Sequence, residues 1–174
     1  MKRLPAMVLA ASFMATSVLA DENNDSAVDS KWAFGLQAGS TIFGLSLRRE
    51  LTDNWQLQGV ALPVSQDEFL VGGRVLRTAT QKEFWRSYSF AGIAHFNGND
   101  TGFLASGSDR NITGLSTGFG VEWSWKVRNQ SFPPLAWNLE IGLGYVTEDI
   151  DDDSSDEDGE VFLALGAGIH YQFD

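Results

Sequence analysis

Two histidines, His95 and His170, are the residues of this sequence best suited to acid–base chemistry. A histidine can activate a serine hydroxyl as a nucleophile when a carboxylate orients its ring. Ser87 and Ser89 lie eight and six residues before His95, which would place them deeper in the same predicted strand. This spacing disfavours a Ser–His site, so we predict no catalytic residues, no enzymatic activity and no cofactor.

An acidic run near the C-terminus is the second group of residues that could do chemistry. Nine of the thirteen residues in the range 148–160 are Asp or Glu. Ca²⁺ prefers carboxylate ligands, but Leu165 occupies the place of the terminal Glu of an EF-hand loop. Like charges at this density repel each other and stay solvated. We therefore predict a diffuse acidic surface with loose divalent cation association, and no specific metal site.

Composition excludes several further classes of protein. The chain has 174 residues, a formal net charge of −11 and no cysteine. The negative charge argues against nucleic acid as a partner. The absence of cysteine excludes disulfides, thiolate metal sites and cysteine nucleophiles.

The N-terminus predicts export. Lys2 and Arg3 precede an apolar stretch over 4–19, and the small-residue sequence VLA at 18–20 is followed by a polar run. This is the layout of a secretory signal peptide over residues 1–20. An uncleaved anchor is disfavoured because the apolar stretch is short for spanning a membrane. We interpret 21–31 as a polar leader and 32–174 as one domain.

From Trp32 onwards, apolar residues alternate with small or polar ones. Every second residue from Val161 to Phe173 is apolar, for example, and His170 and Gln172 lie between them. A period of two predicts β-strands. The segments with clear alternation are 32–39, 43–51, 115–127, 135–145 and 161–173.

Three further segments are less regular and bring the predicted number of strands to eight. They cover residues 55–64, 69–78 and 84–96. The facing of the last one stays open. In one option, Trp85 and His95 face inward. The outward side chains are then Phe84, Tyr88, Phe90 and Phe96.

The alternation also indicates which face points outward. The interior of an eight-stranded barrel has room for little more than ordinary side chains. Such an interior can hold Gly, Ala, Ser and a few charged residues. A soluble barrel with an apolar interior would instead have to enclose a ring of tryptophans, for which there is no room. The pattern fits a barrel with an apolar outer face toward lipid. We predict an all-β fold: an eight-stranded antiparallel up-and-down transmembrane β-barrel.

The signal peptide, the eight strands and the ending GIHYQF resemble the small outer-membrane β-barrels of Gram-negative bacteria, the class of OmpA-type transmembrane domains and OmpX-like barrels. In that class the ending is an assembly signal for the barrel insertion machinery, and Gly168, Tyr171 and Phe173 match it. Here Asp174 follows the phenylalanine, which usually comes last. The resemblance implies location in the outer membrane, with phospholipid and lipopolysaccharide as partners.

The inward positions predict a plugged lumen. Arg48, Arg74, Glu122 and Glu140 should lie near mid-depth, where buried charges persist only if they are paired. We predict a charge network among these four residues. At the end with the short turns we predict an aromatic girdle, since indole and phenol rings prefer the membrane–water boundary: Trp32, Trp55, Trp123, Trp125, Trp137 and Tyr171.

These features favour a structural or surface-interaction role without catalysis. One alternative is a porin-like, gated passage for small solutes, which would open when an ion pair exchanges partners. Another is a lipid A-modifying enzyme, but His95-Phe96-Asn97 lacks the His-x-Ser spacing of the lipid A deacylase family.

Overall fold

The computed structural model describes residues 32–63, 68–98, 110–125, 133–149 and 159–173. The predicted signal peptide over 1–20, the leader over 21–31 and residues 150–158 of the acidic run lie outside these ranges. The predictions made for those segments stay predictions.

The described residues form eight strands in one closed, antiparallel, up-and-down barrel, which confirms the predicted fold class. Each strand pairs with its neighbours along the chain, and the first strand pairs with the last. The strands are β1 (Trp32–Gly39), β2 (Gly44–Thr52), β3 (Trp55–Pro63), β4 (Phe69–Gln81), β5 (Trp85–Gly98), β6 (Arg110–Ser124), β7 (Leu135–Asp149) and β8 (Glu160–Phe173). Within the described ranges, no helix is both long and apolar enough to cross a membrane.

The two ends of the barrel differ in their connections. We call the end with Trp32, Phe173 and the short β2–β3 and β4–β5 turns the turn end, and the opposite end the loop end. Strands β1 to β3 have eight or nine residues, whereas β4 to β8 have thirteen to fifteen. The difference is incomplete, because the β1–β2 and β3–β4 connections at the loop end have four and five residues, and the β6–β7 connection at the turn end has ten.

The alternation of residue types in β8 becomes an alternation of burial. Val161 and Leu163 face outward and are 66% and 60% exposed, whereas His170 faces the lumen and is 1% exposed. Successive side chains of a strand point to opposite faces. The lumen of this barrel is therefore polar, and its outer surface is apolar.

Two small apolar clusters also lie within the lumen. One consists of Ile42, Val60 and Ala94, with Leu70 packed against it, and the β1–β2 connection supplies Ile42. The other cluster contains Leu76, Tyr88 and Phe90 and lies next to the polar groups described below.

Strand β5 faces opposite to the option raised from its sequence. Tyr88 and Phe90 are buried in the lumen, at 2% and 3% exposure. Trp85 shares the outward row with Trp123, its partner on β6. His95 also faces outward. The inward turn of Tyr88 has a polar cause, since its hydroxyl donates a hydrogen bond to a buried carboxylate.

A glycine on β6 makes the space for Tyr88. A Cβ atom built on Gly120 would lie 2.5 Å from Cζ of the Tyr88 ring. We expect Gly120→Ala to lower the free energy of unfolding by about 1–3 kcal/mol, because the ring must shift. Denaturant titration of the folded protein measures this value. Gly59→Ala is the matched control, since its Cβ would meet no atom within 4 Å. Equal stability of the two variants would contradict this packing.

Candidate functional site: the lumen network and the aromatic belt

A bidentate salt bridge between Arg74 on β4 and Glu140 on β7 lies at the centre of the lumen. The Nη1 and Nη2 atoms of Arg74 lie 2.6 Å and 2.9 Å from the two carboxylate oxygens of Glu140. Its Nε donates to Oε1 of Gln58 at 2.8 Å. The guanidinium also lies over the Phe90 ring, 5.0 Å from the centroid. The Arg74 guanidinium therefore contacts Gln58, Glu140 and Phe90 at once.

Glu140 is the hub of the network because it accepts hydrogen bonds from four side chains. Besides the two bonds from Arg74, Oε1 accepts from the Tyr88 hydroxyl at 2.6 Å and from Asn138 Nδ2 at 3.0 Å. Oε2 accepts from Gln37 Nε2 at 3.2 Å. Hydrogen bonds to a charged acceptor are stronger than those between neutral groups. These bonds offset the cost of burying the carboxylate.

A second ionic group lies closer to the turn end. Two arginines form ion pairs with Glu122. Arg48 contacts its Oε2 atom, and Nη2 of Arg86 lies 2.6 Å from its Oε1 atom. Arg86 also donates to Oε1 of Gln56 at 2.9 Å and lies 3.6 Å from Glu50. Among the described residues, three lumen arginines therefore face three glutamates, and these six charges balance.

The side-chain amides of Gln37 and Asn138 connect the ion pairs of Glu122 and Glu140 into one network. Arg48 Nη2 donates to Gln37 Oε1 and to Asn138 Oδ1, both at 3.3 Å. The same two amides donate to Glu140 through their nitrogens. Gln58 extends the network, because its Nε2 donates to Ser46 Oγ at 2.6 Å. The Nε2 atom of His170 lies 2.9 Å from the same hydroxyl.

The structure thus brings together all four residues predicted from the sequence as a lumen charge network. Arg48 pairs with Glu122, and Arg74 pairs with Glu140. Their exposed fractions lie between 3% and 8%. Sequence reasoning missed Arg86 and Tyr88, since the facing of β5 was open. Arg86 lies two residues before Tyr88 and therefore shares its face of β5. A sequence argument that turned Tyr88 inward would have placed Arg86 in the lumen as well.

The polar filling leaves little space for solutes. Cavities among the described residues include one lined by Arg48, Glu50 and Glu122, with room for about one water molecule. An eight-stranded barrel is only wide enough for its interior side chains. The arrangement can rigidify the barrel and hold charge at its centre.

The outer surface at the turn end carries a belt of aromatic side chains. Trp32, Trp55 and Trp85 are the first residues of β1, β3 and β5. Trp123 and Trp137 are opposite each other on β6 and β7 and stack, with ring centroids 4.3 Å apart. We call these five tryptophans the aromatic belt.

The other aromatic residues predicted for the girdle also lie at the turn end. Trp125 directly follows β6 and is exposed. Tyr171 and Phe173 face outward on β8, and Phe173 is opposite Trp32. Gly168 faces the lumen, where a Cβ would lie 2.5 Å from the side-chain oxygens of Asn138 and Gln37. The three residues of the predicted assembly signal therefore lie on both faces of β8.

His95 lies apart from the network on the outer surface near the loop end. Its Nδ1 is 3.2 Å from Thr113 Oγ1, and its ring contacts Phe69 with centroids 6.4 Å apart. Ser89 shares the outward side of β5 with His95, six residues closer to the turn end. Within the described ranges, no group of three His, Asp or Glu side chains could hold a metal ion.

Comparisons of the chain with protein-family models, with curated proteins and with solved structures gave no match.

Proposed function

We propose that this protein is an integral outer-membrane barrel of the OmpA-type or OmpX-like class, with a structural or surface-interaction role. The observation that carries the proposal is the apolar outer surface. Midway along the strands, Leu36, Phe119 and Ile141 face outward and are 50–56% exposed. A contiguous apolar patch larger than a few hundred Å² is rare on a soluble monomer.

The polar lumen supports the same proposal. In a soluble barrel the apolar side chains would fill the interior and the charges would face water. Here three arginines and their glutamate partners fill the interior. A barrel that crosses lipid requires this inverted distribution, because its outer face contacts acyl chains.

The filling of the lumen favours a structural role over transport. Opening a passage would require breaking buried ion pairs, and removing one partner of a buried pair is costly. The proposed partners are phospholipid, lipopolysaccharide and the barrel insertion machinery, together with loose divalent cations at the acidic run. We propose no catalytic role, since His95 contacts a threonine and an aromatic ring on the outer surface.

Cell fractionation with a heat-modifiability gel tests the proposal. We expect the protein in the outer-membrane fraction, with a band that shifts on boiling because the closed barrel resists detergent at room temperature. A matched sample that is boiled before loading is the control for the unfolded position. Recovery in the periplasmic soluble fraction would contradict the proposal.

A further inference from the structure

Two arginines face outward among the aromatic residues at the turn end. Arg49 on β2 is directly opposite Trp32 on β1, and Arg77 on β4 is directly opposite Trp55 on β3. In each pair the guanidinium lies over the indole ring, at 5.0 Å from the centroid for Arg49 and 5.7 Å for Arg77. The same arrangement therefore occurs twice on neighbouring strands.

These two arginines differ from those in the lumen in their electrostatic partners. Each of the three lumen arginines contacts a glutamate carboxylate. Across the described part of the chain, neither Arg49 nor Arg77 has such a contact. A positive charge that has no carboxylate partner among the described residues, on an apolar outer surface, favours an anion supplied from outside the protein.

The stacking leaves the guanidinium groups ready to bind an anion. An indole ring beneath the guanidinium face holds the side chain by a cation–π contact. The N–H donors of arginine lie in the plane of the group, so stacking on the face leaves these edges available. A planar fork of donors matches the oxygens of a phosphate.

The location of the pairs indicates which phosphate is bound. A charged side chain on the lipid-facing surface is tolerated near the interface and disfavoured at the midplane. Both pairs include the first residue of a strand at the turn end. In an outer-membrane barrel with this polarity, the turn end lies at the periplasmic leaflet, which is a phospholipid layer.

We infer that Arg49–Trp32 and Arg77–Trp55 form a binding surface for the headgroup phosphate of anionic phospholipid. The inference rests on the proposed function, because it requires the barrel to lie in a bilayer. It assigns phospholipid to the β1–β4 side of the barrel. On the β5–β7 side, Trp85, Trp123 and Trp137 form one row, and no arginine of the described residues lies between them.

Native mass spectrometry of the folded protein in detergent tests this inference. The protein is incubated with equal amounts of phosphatidylglycerol and phosphatidylcholine, and the fraction carrying each lipid is measured. We expect the wild-type protein to retain phosphatidylglycerol in preference. Arg49→Gln and Arg77→Gln should each lower the phosphatidylglycerol-bound fraction by about tenfold, since each removes charge-assisted hydrogen bonds.

Lys82→Gln is the matched control. Lys82 lies exposed in the β4–β5 turn at the same end, and its replacement removes one positive charge without touching either pair. Its lipid-bound fraction should stay at the wild-type level. The inference is overturned if the arginine variants retain phosphatidylglycerol like the wild type, or if Lys82→Gln loses it equally. In either case a preserved heat-modifiable band in the outer-membrane fraction would leave the proposed function intact.

Discussion

Replacing Glu140 with alanine should lower the free energy of unfolding by about 3–5 kcal/mol, because it leaves the buried charge of Arg74 without its partner. The variant also removes the acceptor for Tyr88, Asn138 and Gln37. Urea-induced unfolding in lipid vesicles, followed by tryptophan fluorescence, measures the change. The double variant Arg74→Ala/Glu140→Ala should cost less than the sum of the two single variants.

Glu50→Ala is the matched control for this prediction. The Glu50 side chain is 31% exposed and lies 3.6 Å from Arg86. A partly exposed pair is worth about 1 kcal/mol or less, so its loss should be small. If the Glu140 and Glu50 variants were equally stable, the hub role assigned to Glu140 would be wrong.

The second large effect concerns the outer surface next to the hub. Ile141 follows Glu140 on β7 and faces outward, midway along the strand. In bilayers we expect Ile141→Arg to lower the free energy of unfolding by about 2–4 kcal/mol, the cost of an arginine near the membrane midplane. The same vesicle unfolding assay provides the measurement.

Val161→Arg serves as the comparison at the loop end. Val161 is the second residue of β8 and is also highly exposed. Near an interface the same substitution should cost about 1 kcal/mol or less. Equal costs at the two positions would show that depth along the barrel has no influence, which conflicts with a lipid-embedded outer face.

Much of the fold could be predicted because lumen and outer surface make opposite demands on the side chains. In β8 the difference is large, with Leu163 and Ile169 on one face and Gly168 and His170 on the other. Most lumen positions of this strand are small or polar, whereas its outward face carries large apolar residues. The period of two and the facing of such strands follow from this contrast.

The facing of β5 could not be predicted because both of its faces carry large apolar residues. Its outward row includes Trp85 and Ile93, and its lumen row includes Tyr88 and Phe90. The choice depends on residues far away in the sequence. Glu140 accepts the hydrogen bond from the tyrosine, and Gly120 makes space for its ring.

The pairing within the lumen also depends on barrel closure. The sequence placed Arg48, Arg74, Glu122 and Glu140 on inward positions, but it did not specify which arginine meets which glutamate. Arg48 on β2 reaches Glu122 on β6 across the lumen, and 74 residues separate them along the chain. Strand register and the width of the barrel decide such contacts.

The orientation of the strand faces is the central claim, and spin labels along β8 test it most directly. The chain has no cysteine, so single-cysteine variants at 161–172 can each carry one label. In bilayers, labels at the odd positions 163–169 should be accessible to dissolved oxygen and protected from a water-soluble nickel complex. Labels at the lumen-facing positions 164 and 170 should be accessible to neither, and 166 and 168 are left out because a Cβ there would meet lumen side chains. Odd positions that collide freely with the nickel complex would show that the apolar face contacts water, which would contradict the account.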